Sequence, residues 1–247
     1  MLEFSSDLTP ILILLAVTFV ATAVHTSTSF GFGIITIMFF PYLLPNYPTA
    51  TACVTLLTLA FSSINSIRMR KEIVWAWIVP TFVSYFIASF FAVRLLNVID
   101  DVFMKKVLGV VLVCLSLYFI FFQKRIHMEP TKRNGFIAGL MSGTLESLFC
   151  VGGPPIVLYL LTVSKDVRRY TASVQAWFAV TETFLLFMRF INGHITPVAL
   201  HFSAIGFLAI PPGIYLGTKL LDHMNPQRLK NIVYGIMLFY GFLLIFK

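Results

Sequence analysis

Apolar residues run along this chain in long blocks separated by short polar or basic turns. Six blocks, about 49–67, 74–95, 104–122, 170–190, 198–219 and 229–246, approach the ~20 residues a helix needs to cross the hydrocarbon of a bilayer. They predict full crossings. Two further regions, about 9–44 and 134–163, are apolar but interrupted midway. The first interruption is His25-Thr26-Ser27-Thr28-Ser29-Phe30-Gly31-Phe32-Gly33. The second is Thr144-Leu145-Glu146-Ser147-Leu148-Phe149-Cys150-Val151-Gly152-Gly153-Pro154-Pro155. Glycine and proline interrupt a helix, and the flanking pieces are shorter than an ordinary crossing. Each region therefore predicts a re-entrant or broken helical hairpin.

The same order of elements, a broken hairpin followed by three crossings, occurs twice. With Ser29-Phe30-Gly31-Phe32-Gly33 set against Leu148-Phe149-Cys150-Val151-Gly152, the chain divides into repeats at about 9–122 and 134–246 within one transmembrane domain, 1–247. Charge sets the orientation of the halves. If both hairpins are re-entrant, most of the 18 Lys and Arg share one side, Arg68, Arg70, Lys71, Lys132, Arg133, Arg168 and Arg169 among them. Only Arg94, Lys105, Lys106, Arg189 and Lys247 remain on the other. If each broken region instead crosses the membrane once more, the two sides carry equal numbers. Membrane proteins concentrate Lys and Arg in the cytoplasmic loops, which favours the re-entrant reading and two inverted halves with both termini outside. The expected fold is an all-α polytopic membrane protein.

Composition agrees, since 58% hydrophobic and 11% charged residues leave too little polar surface for a soluble globule. The expected partner is a lipid bilayer, with a homodimer left open. The expected location is the plasma membrane of a bacterium or archaeon. The net charge of +8 sits in short loops flanking apolar segments, where it anchors helices, so nucleic acid is not an expected partner. Cys53, Cys114 and Cys150 lie in apolar segments without metal or disulfide spacing and read as small buried hydrophobes. Glu3 and Asp7 replace the basic start of a cleavable signal, so the first apolar segment is expected to remain. No phosphate-binding G-x-x-x-x-G-K-[ST], no G-x-S-x-G and no H-E-x-x-H is present. No cofactor, metal or enzymatic activity is expected.

Unpaired backbone at membrane depth is tolerated only where protein or a wet cavity satisfies it, so the two breaks point to a cavity. Helices starting near Gly33 and Pro154 would direct positive dipole ends at it, which suits an anion. Ser27, Thr28, Ser29, Thr144 and Ser147 offer hydroxyls, and Gly31, Gly33, Gly152 and Gly153 permit close approach to the backbone. Glu146, beside the second break, and Glu182, within 170–190, are acidic residues inside apolar segments, and such residues are functional candidates by default. Glu146 is a candidate proton carrier, and His25 holds nearly the matching place at the first break. Glu182 stands two turns before Arg189 on one helix face, which equally suits a structural pair through a neighbouring helix. Thr51, Thr55, Asn65, Thr171, Ser173 and Gln175 are further polar positions, open to a cavity or to helix packing. Trp75 and Trp77 read as interfacial anchors.

The break at Ser27–Gly33, the apolar run to Pro41-Tyr42-Leu43-Leu44, and the helix opening Thr49-Ala50-Thr51 resemble the TauE/SafE sulfite exporter family. So does the second-half stretch from Gly139 and Gly143 to Phe149-Cys150-Val151-Gly152-Gly153-Pro154-Pro155. The resemblance covers nearly the whole chain; Gly152-Gly153-Pro154 is its most specific part, and the first-half cluster is reduced to Gly31-Phe32-Gly33. It implies a secondary carrier of sulfur-containing anions such as sulfite, sulfonates, sulfoacetate or thiosulfate. Gly31, Gly33, Gly152, Gly153 and Pro154 would form the substrate loop, with Thr51 beside it. An anion channel, or a carrier of another small anion, is the alternative.

Overall fold

The computed structural model describes residues 8–122, 131–164, 166–223 and 226–246. The Met1–Asp7 leader and the loop charges Lys124, Arg125, Lys165 and Lys247 lie outside these residues. The described chain is helical throughout: α1 Leu8–Thr28, α2 Phe32–Leu43, α3 Tyr47–Arg68, α4 Trp75–Leu95, α5 Asp101–Phe122, α6 Lys132–Phe149, α7 Gly153–Val163, α8 Val167–Ile191, α9 Pro197–Phe207, α10 Ile210–His223 and α11 Pro226–Phe246. One 3₁₀ turn at Arg70–Glu72 separates α3 from α4.

Polar residues at the block edges start several helices, because a short side chain can take a backbone N–H that the first turn leaves unpaired. Asn46 accepts from the Thr49 amide at 2.8 Å, Asp166 from Arg168 at 2.8 Å, and Thr196 from Ala199 at 3.1 Å. Each such cap contributes about 1 kcal/mol. Five helices, α1, α3, α4, α5 and α8, are long and apolar enough to cross a membrane, and the count reaches six if α9 and α10 form one bent span. The expected crossing at 198–219 is a pair of helices bent by 47°. Pro211 and Pro212 cause the bend: their rings exclude the carbonyls four residues earlier and they have no N–H to donate.

Glycines let three helix pairs approach closely. Gly139 and Gly143 of α6 lie against the Thr81 and Tyr85 carbonyls of α4, Gly213 and Gly217 of α10 against Phe19 and Ala23 of α1, and Gly109 of α5 against Gly241 of α11. The first two pairs use the four-residue small-residue spacing common at membrane helix contacts. The Gly139–Gly143 stretch is therefore a packing face. Around the outside, Phe91, Phe121, Phe187, Phe190 and Phe239 are exposed and suited to lipid. Cys114 is also exposed on α5, which corrects the expectation that all three cysteines are buried.

At the centre α3 and α8 pack antiparallel. Thr51 and Thr55, early in α3, bond to Arg189, late in α8, while Ser173, early in α8, accepts from the Val74 amide beyond the end of α3 at 3.1 Å. Ser173 therefore joins two helix ends. Trp177, Tyr47, Tyr85 and Phe61 pack fully buried around this central pair.

Candidate functional site

Helices α1 and α6 both end in a left-handed residue, Ser29 at φ 66° and Cys150 at φ 56°. A residue with a Cβ pays about 1 kcal/mol or more to adopt this conformation, so the surroundings must enforce it. In each break the left-handed residue still donates back four residues, Ser29 N–H to His25 O at 2.7 Å and Cys150 N–H to Glu146 O at 2.9 Å. The His25 and Glu146 side chains then reach forward across the break. His25 Nδ1 accepts a long bond from the Phe32 amide at 3.4 Å, and Glu146 Oε2 accepts from the Gly152 amide at 2.5 Å. The register set by Ser29 against Cys150 is shifted two residues from the one read off the glycines. It makes Glu146 the counterpart of His25 and Gly152 that of Gly31.

The breaks touch. Gly33 lies so close to the Cys150 carbonyl that a methyl group there would overlap it, and a methyl on Gly152 would collide with the Ser142 carbonyl and Glu146. Between them is a small cavity of ≈ 10 Å³, room for about one water molecule. His25, Gly31, Gly33, Thr58, Glu146, Cys150, Gly153, Pro154 and Phe178 line it, with Ile34 and Val151. Thr58 and Phe178 stand near the midpoints of α3 and α8, so the cavity lies at mid-depth of the two central helices. His25 is packed edge-on by Phe61 and Phe178 at 4.7 Å and 5.5 Å between ring centroids. Because its Nδ1 accepts an N–H, its proton is on Nε2, which has no hydrogen-bond partner.

Of the residues singled out in the sequence, His25, Gly31, Gly33, Glu146, Gly153 and Pro154 meet at this cavity. The hydroxyls of Ser27 and Thr28 instead bond back to the Ala23 and Val24 carbonyls of their own helix, and Ser29 pairs with Thr171 at 3.3 Å. Gly152 spends its N–H on Glu146. Thr144 bonds back to Leu140 and is exposed, while the buried Ser147 hydroxyl has no partner. The α7 tip is poorer in donors than its counterpart, since Pro154 and Pro155 have no N–H and Gly153 supplies the free amide of its first turn.

Arg189 is the residue whose place the sequence did not disclose. The charge count sets it among the basic residues of the less positive side, and the helix spacing sets it on one face with Glu182; in the structure it is fully buried. Its Nε donates to Thr55 at 3.0 Å, Nη1 to Thr51 at 2.6 Å and Nη2 to the Ser147 carbonyl at 3.0 Å, with Cys150 Sγ at 3.9 Å. The guanidinium thus ties α3 to the carbonyl end of α6, where a cation complements the helix dipole. Glu182 is fully buried too, faces Thr55 and Glu146, and neither of its carboxyl oxygens makes a hydrogen bond of normal geometry. No ion pair joins it to Arg189 among the described residues; Thr55 of the neighbouring α3 stands between them. The signal available in the sequence was the Glu182 to Arg189 spacing inside an apolar block. No group of three or more metal-ligating side chains occurs among the described residues.

The cavity thus lies between two helix breaks, walled by the Glu146 carboxyl and backed by the buried Glu182 and Arg189. Neither a curated protein nor a solved structure matches the chain. The profile of the family described as Sulfite exporter TauE/SafE matches residues 14–244, from within α1 to near the end of α11 and across both breaks. The chain belongs to the TauE/SafE family, multi-pass plasma-membrane proteins that carry small anions by secondary transport and are not enzymes.

Proposed function

We propose that the protein carries small sulfur-containing anions, among sulfite, thiosulfate, sulfonate and sulfoacetate, by alternating access around the two breaks. The observation that carries this reading is the convergence of both breaks on one small cavity at mid-depth of the central helices. The first turns of α2 and α7 contribute Gly33, Ile34 and Gly153 to its wall, so two positive helix ends bear on one small space. At about one water in volume, the space must widen before an oxyanion enters. Gly31, Gly33, Gly153 and Pro154 then form the anion's nearest surroundings, with Ser27, Thr28, Ser29, Thr51, Ser147 and Gly152 around them.

In the same reading each hairpin is re-entrant and the halves are inverted. Three observations support it. Gly135, early in α6, lies against Tyr159, late in α7, as it does when α7 turns back beside α6. Leu14, Phe19 and Ala23 of α1 meet Gly206, Gly213 and Gly217 in the same order, so α1 runs parallel to α9 and α10. The antiparallel α3 and α8 then occupy the centre of a pseudo-twofold arrangement. Flux is coupled to protons, with Glu146, His25 and Glu182 as the groups available to carry them.

The test is uptake of labelled sulfite, thiosulfate and a short sulfonate into proteoliposomes, with and without an inward proton gradient. Saturable, gradient-stimulated uptake of one of them is expected. No uptake of any, with folded protein in the vesicles, overturns the sulfur-anion reading, and unsaturable flux replaces the carrier by a channel.

A further inference from the structure

Behind the cavity wall lies a layer of charge that the hairpin tips do not explain. Arg189 donates to two threonine hydroxyls, a carbonyl and a thiol, all neutral acceptors, and is fully buried. Two turns earlier on the same face of α8, Glu182 is buried beside Glu146 and Thr55, with neither carboxyl oxygen in a hydrogen bond of normal geometry. It faces Glu146 across the helix contact. Glu146, 2% exposed, has one oxygen on the Gly152 amide and also lines the cavity. Three ionisable groups thus share one space shielded from water, and only one of them is a fixed cation.

Net charge is costly in such a place, so the cluster is held near neutrality. Two adjacent carboxyls do not both ionise readily; they share a proton and titrate as a pair. With the cavity empty, neutrality requires Arg189 ionised, one carboxylate and one carboxylic acid. A monovalent anion entering the cavity beside Glu146 adds a negative charge, and the cluster returns to neutrality by binding a second proton. The anion then takes the place of the carboxylate as counter-charge to the guanidinium.

We propose that Glu146, Glu182 and Arg189 form a charge-balancing triad that binds one proton with each monovalent anion, so that net transport is electroneutral symport. The proposal rests on the anion-carrier reading above. Other titratable groups face the triad from every packed element: His25 of α1, Tyr47 of α3, Tyr85 of α4, Cys150 after α6 and His194 after α8. His25 is neutral while its Nδ1 accepts the Phe32 amide, and the two phenols ordinarily titrate near 10. Glu182 serves as a positioning residue that holds the pair's proton without touching the substrate.

The experiment uses the full-length protein in proteoliposomes, with a trapped pH indicator and the membrane potential clamped by valinomycin and potassium. Its probe is a labelled short sulfonate, monovalent at all relevant pH. In the wild type one proton enters per sulfonate, and uptake driven by a pH gradient is unchanged by the clamped potential. Glu146→Gln combined with Glu182→Gln leaves the anion as the only counter-charge to Arg189 and no carboxyl to bind a proton, so internal acidification is lost and gradient-driven accumulation falls by about tenfold or more. Sulfonate uptake that follows the potential without internal acidification in the wild type overturns the triad, as does a doubly substituted protein that still accumulates under the pH gradient. If the doubly substituted protein carries nothing, the wild-type stoichiometry decides. A wild type that carries neither the sulfonate nor another sulfur anion overturns the functional reading itself, an outcome separate from a wrong stoichiometry.

Discussion

The two breaks share one construction and differ in chemistry. In each, the last turn of a helix supplies a side chain that reaches past a left-handed residue to accept a backbone N–H beyond it. At the first break the acceptor is an imidazole, and nearby hydroxyls bond to their own helix, so nothing there carries a fixed charge. At the second it is a carboxyl, with a second carboxyl and a guanidinium behind it. Two proline residues also strip that tip of amide donors. The difference assigns the tasks unequally. In the proposed carrier the first tip offers the anion more backbone donors, and the second balances its charge.

Several substitutions test this division. Arg189→Leu attacks the charged side hardest, because it removes the donor for Thr51, Thr55 and the Ser147 carbonyl and leaves buried carboxyls without their cation. Breaking a buried charge arrangement costs about 3–5 kcal/mol, and the purified protein is expected to unfold at a much lower temperature or fail to accumulate. Gly33→Ala attacks the contact between the tips, since its methyl would overlap the Cys150 carbonyl. Overpacking of about 1–3 kcal/mol is expected, with loss of transport, while Gly235→Ala, which meets nothing, leaves melting and uptake unchanged.

Glu146→Gln separates cap from charge. The amide oxygen still accepts from Gly152, so melting changes by no more than about 1 kcal/mol, whereas uptake loses its dependence on the proton gradient. If Glu146→Gln instead melts early with proton coupling intact, the carboxyl is structural and the two breaks are equivalent. The smallest effect concerns His194, in the turn after α8, whose Nε2 is 2.7 Å from Asn97 Oδ1. Burial and then Arg189 push its pKa down to about 4. Between pH 6.5 and 4 the unfolded chain binds a proton that the folded one refuses, so stability is full above that window and falls as pH drops through it. Melting temperature is expected to decline from pH 7 to pH 5, and less so in His194→Gln.

Most of the helical framework was legible because the bilayer imposes a length: 74–95 became Trp75–Leu95 and 170–190 became Val167–Ile191. The crossing at 198–219 is bent by 47°, and Pro211-Pro212 mark the place, although hydropathy counts them as merely apolar. The breaks were legible as glycine and proline clusters, but their register was not. Glycine positions suggested one alignment, and the backbone follows the left-handed Ser29 and Cys150, which no composition marks. Half of the site was legible for the same reason. His25 and Glu146 stand out as polar residues in apolar blocks, whereas hydroxyls such as Thr28 can always turn to their own helix carbonyls. Arg189 was hidden because a basic residue near a helix end reads as an interfacial anchor.

The close glycine contacts have a consequence for how the chain is made. Gly139 and Gly143 bind α6 to α4, and Gly213 and Gly217 bind α10 to α1, so each tight pair takes one helix from early and one from late in the chain. During synthesis α1 leaves the ribosome long before α10, which begins only at Ile210. Until then its buried Thr18 and Thr22 face no protein partner on that side. The early half is accordingly an incomplete product that depends on the late half to be finished. A chain truncated before α10 is expected to be cleared by proteolysis, and co-expression of the two halves as separate polypeptides to restore both.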